Sequence, residues 1–75
     1  MTPDPRLRTL TDALAAEDIH LAPADIAYLA AELDAYDTTD PDALMLAVER
    51  ELVICDVQVD LLVAERIANR IRRTR

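Results

Sequence analysis

The 75-residue chain has no glycine, serine, lysine, phenylalanine or tryptophan, and it has one cysteine, one histidine and two tyrosines. Each absence removes a class of chemistry. Without serine and lysine there is no serine nucleophile, Schiff-base amine or P-loop cation, and without glycine there is no Gly-rich phosphate cradle. Two tyrosines make no platform for stacking bases. One cysteine and one histidine exclude a disulfide framework and a zinc site built from Cys and His in one chain. No apolar run reaches the ~18 residues that read as a membrane span. The start of the chain lacks the basic flank and apolar stretch of a signal peptide. The expectation is a cytoplasmic protein with a reduced thiol.

What is present points to helices. Apolar residues make up 52% of the chain and charged residues 31%, too apolar a mixture for a disordered tail. Leucine and alanine, both strong helix formers, dominate the apolar set. The chain is expected to form a single helical domain over residues 1–75, since its length allows one small core at most. The fold class expected is all-α, a small bundle of three or four helices.

The formal charge is −7, and its distribution is uneven. Residues 9–65 hold fourteen acids against a single base, Arg50, whereas the last ten residues carry Arg66, Arg70, Arg72, Arg73 and Arg75 and no acid. An acidic body repels nucleic acid at long range, so no direct nucleic-acid partner is expected. The arginines suit the C-terminal end of a helix dipole. Arginine wholly replacing lysine, with abundant Ala and Asp, resembles a GC-rich coding sequence, an association that suggests a phage or mobile-element accessory protein.

Prolines mark three helix starts. Asp4-Pro5 opens a helix expected over about 5–18, and Pro23 opens one over 23–36 with Asp25 in its first turn. Asp40-Pro41 opens a third, over 41–55. A fourth is expected over 57–72, with Asp56 as its cap, or else continuous with the third. Val53 to Val59 also alternates partly like a strand. No internal repeat is evident in the sequence. Met45, Val48, Leu52, Cys55, Val59 and Leu62 recur at spacings of three and four, a heptad-like seam. Residues 44–63 are apolar on more than one face. Together these features predict a homodimer that buries its self-association surface there.

Glu17-x-x-His20 has the spacing of a di-iron carboxylate motif, and Glu32 is a further conceivable ligand in a metal-binding dimer. The simpler reading makes His20 a helix-end residue, and neither metal nor cofactor is expected. Asp34, Asp37, Asp40 and Asp42 lack the glycine and the bidentate glutamate of a calcium loop, and read as caps. Cys55 reads as a structural thiol. Tyr28, Glu32 and Tyr36 form a stripe along the second helix, next to Asp25, and are the expected partner-binding residues. No nucleophile, base and orienting group can be assembled, so no enzyme is expected. The expected function is a non-catalytic interaction module that binds itself and an unidentified host protein. The alternatives are an acidic DNA mimic and the metal-binding dimer.

Overall fold

The computed structural model describes residues 5–35 and 40–73. They form four α-helices, α1 (Pro5–Ala15), α2 (Pro23–Leu33), α3 (Pro41–Ile54) and α4 (Leu61–Arg73), with no strand among the described residues. The all-α bundle is therefore as expected. Among the described residues no helix is long and apolar enough to cross a membrane.

Proline stands at the first position of α1, α2 and α3, where its missing N–H costs nothing and its fixed φ suits the helix. The Asp40 carboxylate accepts from the backbone N–H groups of Asp42 and Ala43, as the sequence suggests. Ala22 gives α2 no side-chain cap. Here Pro23 and Asp25 alone mark the start.

The sequence reading fails at the start of α4. Asp56 is not its cap: it adopts φ 64° and ends α3 instead. The cap is Asp60, whose Oδ1 accepts from the Val63 N–H at 2.9 Å. Residues 57–60 are a non-helical connection, so α3 and α4 are separate helices and no strand forms there.

Asp18 has the same role at the end of α1, with φ 60°. The two turns match bond for bond. The Ile19 N–H donates to the Leu14 carbonyl at 2.9 Å and the Asp18 N–H to that of Ala15 at 3.0 Å. The Val57 N–H donates to Leu52 at 2.8 Å and the Asp56 N–H to Val53 at 3.0 Å. This is the Schellman pattern, which satisfies carbonyls a helix end leaves unpaired and usually places glycine at the left-handed position. In a chain without glycine, aspartate takes that position, since a short polar side chain tolerates it better than most. The early turn at Asp18 is also why α1 ends sooner than the apolar periodicity suggests.

The correspondence extends through the core. Buried Leu10, Leu14, Ile26, Leu29, Ala30 and Leu33 of the first hairpin stand 38 positions before buried Val48, Leu52, Ala64, Ile67, Ala68 and Ile71 of the second. The pattern of which helices approach is shared as well, although α3 and α4 lie together far more extensively than α1 and α2. Each of α1 and α2 meets the other, α1 also meets α4, α2 also meets α3, and α3 meets α4, while among the described residues the backbones of the diagonal pairs α1 and α3, and α2 and α4, do not come close. Exchanging the hairpins maps this set onto itself. The structure thus contains a repeat that the sequence reading missed, because it resides in burial and turn conformation rather than in residue identity.

The fully buried Leu14, Leu29, Leu44, Val48, Leu52 and Ile67 form the shared centre. Neither hairpin has a second face on which to bury its own stripe, so each is the other's core. Asp18→Gly and Asp56→Gly should each stabilise the fold by about 1 kcal/mol, by relieving the left-handed position. Urea unfolding of each variant checks this, and Val at either position should do the opposite.

Candidate functional site

The α2 stripe is only partly a free surface. Tyr28 is 38% exposed, and its hydroxyl donates to Oε2 of Glu51 on α3 at 2.8 Å. Glu51 is 4% exposed, the only charged residue among the buried ones described. The bond to the carboxylate, helped by desolvation, pushes the Tyr28 hydroxyl up to about 12. Asp25 is half-buried and Glu32 exposed, one turn from Tyr28. Tyr36 lies outside the described residues. Sequence reasoning missed Glu51, because a single acid in an acidic helix carries no signal that it faces inward.

Cys55 ends α3 close to this pair. Burial pushes its thiol up, with the negative charges of Asp25 and Glu51 adding to the effect. That environment disfavours the thiolate, so the side chain is a poor nucleophile.

Glu17 and His20 are not brought together as ligands. The Glu17 carboxylate accepts a forked pair from Arg66 of α4, with Nη2 to Oε1 at 2.7 Å and Nε to Oε2 at 3.0 Å. These bonds hold Glu17 below the usual carboxylate range. His20 lies beyond α1 in the connection to α2, exposed, with Nε2 3.4 Å from Asp18 Oδ1. Among the described residues no three His, Cys, Asp or Glu converge as a metal site would require.

Other acids also have structural partners. Asp34 pairs with Arg6 at 2.8 Å, and Asp40 and Asp60 cap helices. Asp37 lies outside the described residues. At one end of the bundle a groove of about 200 Å³ is lined by Pro5, Arg6, Thr9 and Leu10 of α1, Ala30 and Leu33 of α2, and Ile71 of α4.

The heptad-like seam divides between core and surface. Val48 and Leu52 are buried at 1% exposure within the chain's own core, and Met45, Cys55 and Val59 are half-buried against it. Only Leu62 of that set is widely exposed, at 65%. The other exposed large aliphatics are Leu46, Val53, Ile54 and Leu61, all on α3 or at the start of α4. Their counterparts in the first hairpin are Arg8, Ala15, Ala16, Pro23 and, for Leu62, Ala24, each of them exposed. The same hairpin architecture is thus built once with small or charged residues outside and once with large aliphatic ones.

Two variants test the polar contacts. Tyr28→Phe leaves a buried carboxylate without its donor and should lower the melting midpoint at neutral pH. Adding Glu51→Ala, the residue that the first hairpin has at Ala13, should recover part of the loss. The Glu17 carboxylate has a depressed pKa when folded, so its contribution is present above the unfolded value of about 4.3 and fades as pH falls through the folded value. Urea midpoints should therefore favour the native chain over Glu17→Gln at neutral pH, with the gap closing in acid. Comparison with protein-family models, with curated proteins and with solved structures returns no match.

Proposed function

We propose that this chain is a non-catalytic, acidic protein–protein interaction module that docks through the large aliphatic side chains of its second hairpin. The observation that carries the reading is the difference between the hairpins. Leu46, Val53, Ile54, Leu61 and Leu62 face solvent where the equivalent positions of the first hairpin hold Arg, Ala, Ala, Pro and Ala. Isolated exposed aliphatics are ordinary, but several around one hairpin of so small a chain favour an interaction surface. The α2 stripe of Asp25, Tyr28 and Glu32 is a weaker candidate, because the Tyr28 hydroxyl is already engaged by Glu51.

On this reading the chain acts by occupying a surface of another protein rather than by turnover. That mode suits a small accessory factor working in a cytoplasm. The DNA-mimic alternative loses support from the acids already bound to Arg6, Arg66, Tyr28 or helix ends, and the metal-binding alternative from the pairing of Glu17 with Arg66.

Replacing Val53, Ile54, Leu61 and Leu62 by Ala tests the reading. Exposed sites should change stability by no more than about 0.5 kcal/mol each, where a core leucine would cost about 2–5. Calorimetry reads that comparison. Affinity capture with the tagged chain, in the cell it comes from, reads the docking. The expected result is unchanged melting with capture lost. Melting that collapses as for a core truncation, or capture that survives, overturns the proposal.

A further inference from the structure

Two hollows meet along the seam between α1 and α4, and Thr9 lines both. The first is the apolar groove described above, with Leu10, Ala30, Leu33 and Ile71 in its wall. The second, of about 270 Å³, is polar and is lined by Thr9, Asp12, Ala13, Arg70 and Arg73. Among the described residues Asp12, Arg70 and Arg73 form no ion pair, either with one another or elsewhere, whereas Arg66 of the same seam is taken by Glu17. Arg8, Arg50 and Arg72 also lack an ion pair. Arg70 and Arg73 differ from them in sharing one hollow with an acid and a hydroxyl. That hollow therefore presents two cations, one anion and a hydroxyl, none of them consumed by a charge within the chain.

The correspondence between the hairpins gives the shape of the apolar hollow. Arg6, on its rim, stands 38 positions before Leu44, which is 0% exposed. Leu10, Ala30 and Leu33 of its wall correspond in the same way to buried Val48, Ala68 and Ile71. The second hairpin thus buries an isobutyl group at the equivalent place. In the first hairpin Arg6 reaches out to Asp34 instead, with its side chain 54% exposed, and the place stays open. A ligand that suits both hollows carries an aliphatic side chain of that size beside a carboxylate and an ammonium. The carboxylate is complementary to Arg70 and Arg73 and the ammonium to Asp12, while the Thr9 hydroxyl can donate or accept. A residue inside a polypeptide offers neither charge, and a chain terminus offers only one.

We infer that the α1–α4 seam binds a free aliphatic α-amino acid of about the size of leucine, its side chain in the apolar hollow and its zwitterion between Asp12 and the Arg70 and Arg73 pair. The site goes beyond the docking surface proposed above and is separate from it. It uses α1 and the last turn of α4, whereas the exposed large aliphatics lie on α3 and at the start of α4. A ligand of so few atoms in a site open to solvent binds weakly, in the millimolar range.

The test is titration of the native chain with L-leucine, followed by the backbone amide signals in NMR. Saturable shifts are expected at Thr9, Asp12, Arg70 and Arg73. N-acetyl-L-leucine, which lacks the ammonium, and L-leucinamide, which lacks the carboxylate, should each bind roughly tenfold more weakly. L-alanine, which cannot fill the apolar hollow, should lose a similar factor. Arg70→Gln, Arg73→Gln and Asp12→Asn should weaken L-leucine binding while leaving the melting midpoint within error, since none of these side chains is in an ion pair. Arg6→Leu, which places the second hairpin's residue beside the hollow, should abolish binding without lowering the midpoint. Absence of any shift with L-leucine overturns the inference. So do equal affinities for L-leucine and its two blocked derivatives, affinity indifferent to the Arg70 and Arg73 substitutions, or shifts that fall on α3 rather than on the seam. The docking reading is judged separately, by the melting and capture of the alanine variants.

Discussion

Both hairpins of this bundle turn on an aspartate held at positive φ, and the remaining architecture depends on that pair of reversals. A helix can stop almost anywhere, but a compact chain of this length needs it to stop where the next segment returns along the core. The left-handed residue achieves this in one step by directing the following N–H back to the carbonyl of Leu14 or Leu52. Ile19 and Leu21, and equally Val57 and Val59, then lie half-buried over the ends of their hairpins. Glycine would adopt the conformation with less strain. Its absence from the whole chain leaves aspartate in both places.

The two turns produce two similar hairpins, and similarity makes the differences informative. Where Ala13 lies in the first, Glu51 is buried in the second and needs the Tyr28 hydroxyl. Where the second hairpin meets the end of α1, Arg66 takes Glu17 by a two-pronged contact. Each contact joins one hairpin to the other, so both belong to the same joint viewed from opposite sides. One joint is neutral donor to carboxylate and the other is cation to carboxylate. A repeat of this kind therefore keeps the pattern of burial while exchanging the residues within it, Ile26 for Ala64 and Ala13 for Glu51 among them.

Much of this was legible in the sequence where the cause is local. Pro5, Pro23 and Pro41 set helix starts, and Asp40 caps as its position implies. The start of α4 was not legible, because Asp56 and Asp60 are the same residue type four positions apart and only the backbone tells a helix-ending left-handed residue from a cap. The heptad spacing of Met45, Val48, Leu52, Cys55, Val59 and Leu62 was real but undirected. Spacing reveals a stripe without saying whether the helix that covers it belongs to the same chain. The candidate site suffered most, since the bonds that decide it span 23 residues for Tyr28 and Glu51 and 49 for Glu17 and Arg66. Exposure of Leu46 or Ile54 is likewise invisible until the neighbouring helices are in place.

The groove at one end of the bundle is lined by both Pro5 and Ile71, so the start of α1 and the last turn of α4 border one hollow. Contacts run from α1 to α2, to α3, to α4 and back to α1, and the chain crosses three of those four junctions. The fourth has no covalent link and is closed by packing and by the Glu17–Arg66 contact. Topologically the bundle is a ring with one missing link, and nothing in its core marks where the polypeptide must begin. Linking the end of α4 to the start of α1 and opening the segment between α2 and α3 would give a permuted four-helix chain, starting with the second hairpin, that makes the same contacts.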